Sequence, residues 1–215
     1  MLSGRCLIEL HYLPCVAWFT AVHRCKEIVL EKHEYFVKQS YRNRFHILGA
    51  NRVEKLTIPT TAKHNHTLIT DIRIDYSQKW LNNHWRSIES AYRNAPYFEH
   101  FADALQRVLF SKPAFLYDLN YRLLAEYLCT VHPHVMISES TTYDKVPAGG
   151  TVDLRNQISP KHPGFKKFIN PAPYTQVFGN TFVPNLSIID LLFCTGPEAP
   201  VIIASGLKPN EQKGA

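Results

Sequence analysis

Nothing in this sequence marks a metal centre, a nucleotide cradle or a covalent nucleophile. The five cysteines, at positions 6, 15, 25, 129 and 194, form an odd set with no Cys-x-x-Cys pair and no zinc spacing, which argues against both a disulfide framework and a structural metal. No Gly-x-Ser-x-Gly elbow occurs, so a hydrolase ranks last among the enzyme classes. Long apolar runs are missing too. Leu7 to Phe19 is broken by Glu9, His11 and Pro14, and Leu186 to Cys194 by Asp190, and both are too short to span a bilayer. The opening Met-Leu-Ser-Gly-Arg-Cys lacks an apolar block ending at a small-residue cleavage site. The expectation is a soluble cytoplasmic protein without membrane insertion, its cysteines reduced and mostly core filler. Cys15, just after Pro14, is the one thiol that a helix N-terminus would activate.

What is present is enough for a real core: 215 residues, 45% hydrophobic and 12% aromatic, which excludes disorder of the whole chain. The net charge of +6 suits an anionic ligand, but the cations are scattered instead of forming a basic tail or stripe.

The densest run of proton-transfer, anion-binding and stacking groups lies between Glu31 and Arg44. His33 stands between Glu31 and Glu34 and so has carboxylate partners for general acid-base work, with Glu31 as its orienting group. Arg42 and Arg44 flank Asn43, and paired guanidinium donors can clamp a carboxylate or phosphate. Lys38 adds positive charge, and Gln39 and Tyr41 add polar and stacking contacts. The same basic, aromatic stretch, residues 35 to 46, is the nearest approach to an RNA-binding surface, though no RNA-binding module surrounds it. A solvated connector is the bland alternative for the whole run.

The coarse organisation supports the placement. Cys6 to Leu10 reads as a strand, Val16 to His23 as a helix, and Glu27 to Glu31 as a second strand, giving a βαβ unit with parallel strands. The polar run then follows the carboxyl end of the second strand, where open α/β sheets bind ligands. Residues 45–48, 55–59 and 68–75 read as further strands, with His64 and His66 in a polar loop that lacks a third metal ligand. Ser77 is a candidate cap for the first of three successive helices, running to Ala95, from Pro96 to Leu109, and from Pro113 to Val131. A short strand at Val135–Ser138 precedes a long loop, residues 139–173, whose length puts Asp153, Arg155, Lys161 and His162 among the candidates. Asn185 is a candidate cap for a helix ending before Gly196-Pro197, and a flexible tail is expected from about residue 206. The fold class is therefore α/β: a mostly parallel central sheet with helices packed on it and a three-helix segment in the middle of the chain, read as one domain over 1–215.

Tyr12-Leu-Pro14, Phe19, Tyr41-Arg-Asn-Arg44, Leu56-Thr-Ile-Pro59, Tyr92 through Ala95-Pro96-Tyr97-Phe98 and Asp118-Leu-Asn120 occur in an order and spacing that resemble the WbqC-like protein family over residues 7 to 140. Tyr174 to Phe178 and Pro184 to Phe193 resemble the ending of a Bacteroidetes-type branch. The resemblance implies a bacterial protein of polysaccharide or O-antigen biosynthesis, loosely a glycine or acyl transferase. This chain departs from many relatives: Glu9-Leu-His-Tyr-Leu-Pro stands where they resemble Gln-Pro-Tyr-Phe-x-Pro, and Glu31-Lys-His-Glu34 where they carry paired aspartates.

Together these readings make a group-transfer protein, an acyl or aminoacyl transferase acting on an anionic or amino-sugar substrate. His33 or His11 serves as base with Glu31 in support, Tyr12, Lys38, Gln39, Tyr41, Arg42, Asn43 and Arg44 as binding groups, and Asp153 and Arg155 closing from the long loop. The competing class is a non-catalytic binding module for an anionic metabolite or glycan. The sequence names no cofactor, donor or oligomeric state.

Overall fold

Alternating aliphatic residues in two short segments close the βαβ unit at the heart of the molecule. The computed structural model describes residues 3–61, 66–161 and 169–208. Strand β1 (Ser3–Glu9) leads into helix α1 (Val16–Val22) and then β2 (Cys25–Glu31). The strands pair in parallel, with Cys6 opposite Ile28 and Glu9 opposite Glu31. After a long excursion the chain returns to add β5 (Met136–Glu139) beside β2 and β6 (Thr151–Asp153) beside β1, both parallel. The order is β5-β2-β1-β6. Each of the four strands ends on a carboxylate, Glu139, Glu31, Glu9 and Asp153 respectively.

The two faces of this sheet differ in kind. Side chains alternate between faces along a strand. Cys6, Ile8, Ile28 and Leu30 are fully buried members of the main hydrophobic core. Leu7 and Val29 are buried outside that core, and their row continues into charged groups, Arg5 and Glu27 on one side and Glu9 and Glu31 on the other. Register carries this face onward, since Val29 pairs with Ser138 and Leu7 with Asp153.

Between β2 and β5 lie an antiparallel hairpin, β3 (Arg44–Leu48) with β4 (Val53–Thr57), and the expected three helices, α2 (Trp80–Tyr92), α3 (Phe98–Phe110) and α4 (Leu116–Val131). Two local expectations fail. Residues 68–75 are not a strand but a 3-10 turn at Ile69–Asp71 followed by isolated bridges, Thr60 to Ile74 and Arg73 to Phe115. Ser77 does not cap α2, because Asp75 captures both its amide and its hydroxyl.

The carboxyl-terminal part carries more order than its composition suggests. Helix α5 (Ile188–Thr195) is followed by a turn and α6 (Ala199–Ser205). Asn185 caps a helix, but not its own: its Oδ1 accepts the Ala17 amide at 2.9 Å in the first turn of α1. Ile188–Ser205 is apolar and long enough to cross a membrane by composition, with mean hydropathy 1.5. Here it is interrupted at Gly196, and α5 packs in the core. Gly196 has φ +52°, and any Cβ there would overlap the Tyr97 ring at 2.5 Å, so only glycine fits. Buried Asp190 on α5 accepts from Tyr92 (2.7 Å), Tyr174 (2.6 Å) and Gln176 (3.0 Å), stitching the 174–183 segment to α2. Of the expected tail, Gly206 and Leu207 pair back onto Asn170 and Ile169, while 209–215 lie outside the described residues.

Candidate functional site

Where β1 runs out, Glu9 and His11 are both completely buried. The indole of Trp18 on α1 holds the Glu9 carbonyl at 3.1 Å, fixing the strand end. Glu9 Oε1 lies 3.1 Å from His11 Nε2, and Glu9 Oε2 accepts the Asn156 amide at 2.8 Å. Burial is the largest single influence and works to raise the Glu9 carboxyl, but the His11 bond, the charges of His11 and Arg42 and the Asn156 amide together outweigh it and hold the group below its ordinary value. Burial lowers His11 more than Glu9 raises it, which keeps the imidazole neutral. A neutral ring bonded to an ionised carboxylate must donate from Nε2, so Nδ1 is the bare nitrogen. It is buried and has no partner.

Arg155 organises the neighbouring strand ends. Its guanidinium bonds Glu31 Oε2 at 3.0 Å, Asp153 Oδ1 and Oδ2 at 3.0 and 2.8 Å, and the Asp144 carbonyl at 2.9 Å. It also stacks 4.8 Å above the Tyr143 ring. The bond to Arg155 holds Asp153 below the usual carboxylate range. Glu31 Oε1 takes the Ser140 hydroxyl at 2.6 Å and the His33 amide at 2.9 Å. At the outer edge Lys32 pairs with Glu139 at 2.9 Å.

Arg42, 3% exposed, reaches the same region from the segment after β2. Its Nε bonds Glu34 Oε1 at 2.7 Å, and its Nη2 bonds Glu34 Oε2 and, at 3.0 Å, Asn156 Oδ1. The two partners pull differently. Burial raises Glu34 despite Arg42, whereas Arg42 is held above its ordinary value by Glu34 against its own burial. The bidentate fork favours the ionised pair. Glu31, Glu34 and Asp153 thus share two guanidiniums while Glu9 is bonded to His11 and Asn156, so the cluster holds four carboxyl groups against two guanidiniums.

The candidates read from the sequence separate into three groups. His11, Glu31, Arg42, Asp153 and Arg155 converge on this cluster. Tyr41 covers it, its ring 5.4 Å from His11 and its carbonyl accepting the Tyr12 amide. His33 is adjacent, but Glu31 contacts its backbone amide and not its imidazole, whose Nε2 has no partner. Lys38 and Gln39 are exposed on a tight turn. Tyr12 is a core residue whose hydroxyl bonds His84 Nδ1 at 3.2 Å.

The expected anion clamp is not formed. Arg42 is occupied by Glu34, the Asn43 amide donates to the Ile58 carbonyl, and Arg44 lies on the hairpin against Thr57. Arg42 and Asn43 are both buried and Arg44 is half-buried, so the run does not present three free donors together. Of the two tyrosines in the stretch that could stack on RNA, Tyr41 is buried and Tyr35 is exposed. Cys15 is buried, its thiol pushed up to about 12 by desolvation, so it is unreactive. His64 and His162 lie outside the described residues, and no set of three metal-ligating side chains occurs among the described residues.

The sequence profile of the WbqC-like protein family matches residues 10–153 and 157–202. The chain belongs to the WbqC-like protein family. It is similar to the uncharacterized protein Rv1507c of Mycobacterium tuberculosis (strain ATCC 25618 / H37Rv), at 25% identity over 221 residues, covering 90% of this chain and 94% of that one. No solved structure matches.

The match to the WbqC-like family includes His11, Glu31, Glu34, Arg42 and Asp153 but not Glu9, Arg155 or Asn156. In this family member those three complete the cluster, and sequence reading missed the roles of Glu9, Glu34, Ser140 and Asn156. One signal was available: a glutamate and a histidine two apart at the end of a buried strand share a face. The Asn156 contacts, more than a hundred residues away along the chain, left no local trace.

Proposed function

We propose that this WbqC-like protein transfers an acyl or aminoacyl group to the amine of an amino sugar in bacterial surface-polysaccharide biosynthesis, with His11 as general base oriented by Glu9. The observation that carries this reading is the buried Glu9–His11 pair with a bare Nδ1, the arrangement of a base held in tautomer and direction by a carboxylate. The amine nitrogen attacks the carbonyl carbon of an activated ester or thioester. Its proton passes to His11 Nδ1, which returns it to the departing oxygen or sulfur as the acyl–oxygen or acyl–sulfur bond breaks, so that the alcohol or thiol leaves neutral and the base is regenerated. An amine fits the surplus of carboxylates, whereas an anion would compete for guanidiniums already paired. Because His11 is fully buried, the reading requires the 40–44 segment with Tyr41 to open for the substrate.

Replacing His11 by Gln is expected to lower kcat about a hundredfold or more with little change in KM for the amine, the usual scale for loss of a general base. In the wild type, the rising limb of kcat/KM against pH is expected below the ordinary histidine value, since burial lowers this group. Equal turnover by His11→Gln and wild type would discard the assignment. The full burial of His11 favours a second reading, a non-catalytic module that binds the same amine. It predicts amine binding without turnover by any acyl donor.

A further inference from the structure

Beneath the segment that follows β5, on the polar face of the sheet, lies a pocket of about 130 Å³. Its floor includes Leu7 and Val29, the two buried aliphatic residues of the sheet that the main core leaves out. Thr141, Thr142 and Thr151 line it and carry hydroxyls, as does Ser140, whose hydroxyl is engaged by Glu31, and Pro147 and Ala148 complete the lining. The volume is close to that of cavities known to hold one six-membered ring.

The covering segment is irregular, yet it is tied down by the cluster already described. The Ser140 amide donates to the Leu30 carbonyl, the Ser140 hydroxyl binds Glu31, and Arg155 grips the carbonyls of Asp144 and Lys145. The Thr151 amide returns to the Ala148 carbonyl. A loop fixed by a buried guanidinium preserves a space that the apolar core does not need. That space lies on the same face as Glu9, with Leu7 two residues before it, about 7 Å along the strand.

Charge selects the ligand. Arg5 is answered by Glu27 at 3.3 Å and Glu139 by Lys32 at 2.9 Å. Asp144 lines the pocket and makes no ion pair among the described residues. An apolar floor for a ring face, hydroxyls for hydroxyls and one unanswered carboxylate for an ammonium together describe a single amino-sugar ring. We infer that this pocket binds a 2-amino-2-deoxyhexose through its protonated amine and hydroxyls, with Leu7 and Val29 under the ring. The inference rests on the amine-directed reading above, and binding is measured without turnover, so the two can fail separately.

The test is titration of the full chain with glucosamine, glucose and N-acetylglucosamine, followed by calorimetry and by amide shifts in residues 139–151. Glucosamine is expected to bind about tenfold tighter than glucose, the scale of one charge-assisted hydrogen bond, with N-acetylglucosamine no tighter than glucose. Asp144→Asn should erase the preference for glucosamine. Ala148→Phe, at an exposed position, should abolish binding of all three while leaving the unfolding midpoint near that of the wild type. Equal affinity for glucosamine and glucose, no saturable shift with any sugar, or a preference that survives Asp144→Asn would each overturn the inference. His11→Gln should bind glucosamine normally; loss of turnover in that variant alongside no sugar binding in the wild type would remove the pocket and leave the base in place.

Discussion

Two buried acidic centres of this molecule are neutralised in different ways. Asp190 is surrounded by neutral donors, the hydroxyls of Tyr92 and Tyr174 and the amide of Gln176. The carboxylates at the strand ends are answered by guanidiniums, with surplus negative charge and one bare imidazole nitrogen. Neutral donors fix a segment in place and ask nothing further of it. Charge pairing at a sheet edge leaves groups that can exchange a proton or accept a cation. The contrast separates a structural stitch from a site.

The largest expected effect that would break this contrast comes from Arg42→Ala, which strands Glu34 and should lower unfolding free energy by about 3–5 kcal/mol. Urea denaturation measures it, and a loss below about 1 kcal/mol would mean that the pair is relaxed by water. Asp190→Ala should cost about 3 kcal/mol by leaving three donors unmet, while Asp190→Asn, which keeps one accepting oxygen, should cost about half of that. If the asparagine variant were as unstable as the alanine one, Asp190 would need its charge and the contrast would fail.

Acidification sharpens the difference in sign. The bond to Arg155 lowers Asp153, and at Glu9 the bonds and charges of His11, Arg42 and Asn156 together outweigh burial. Their contributions are present above the unfolded value of about 4 and are lost as pH falls through the lower folded values. Burial raises Asp190 despite its donors, so its protonation relieves the folded state as pH falls. Asp153→Asn should therefore flatten the loss of stability below about pH 4, and Asp190→Asn should remove a gain of stability that sets in above that value as pH falls toward it. Matching slopes in a pH series of melts would contradict this. His84, pushed down to about 4 by burial, adds a separate loss between about pH 6.5 and that value, because the unfolded histidine takes up its proton first. The smallest effect belongs to Arg44→Ala, on an exposed hydrogen bond to Thr57, expected within about 0.5 kcal/mol.

Much of the framework was legible because it is written in local periodicity. The βαβ start, the three middle helices and the location of polar groups at the carboxyl edge all follow from residues close in sequence. The misreadings arise where partners are distant or patterns ambiguous. Alternation at Leu68, Ile72 and Ile74 reads as a strand, yet Leu68, Arg73 and Ile74 make only isolated bridges to three different segments. Strand β6 is three residues long within a loop, too short to carry a period. The Arg42, Asn43 and Arg44 run reads as free donors until Glu34 and the Ile58 carbonyl are seen to occupy Arg42 and Asn43. Charge in a sequence says what a residue can bind, and the fold decides what has already bound it.

The cap that Asn185 places on α1 has a temporal consequence. A ribosome releases α1 long before it makes residue 185, and β1 likewise waits for residue 151 before its outer neighbour exists. The opening βαβ unit therefore emerges with both sheet edges bare and its helix start unmet, and chains truncated near residue 180 should still hold α1 loosely, with fast amide exchange at Ala17.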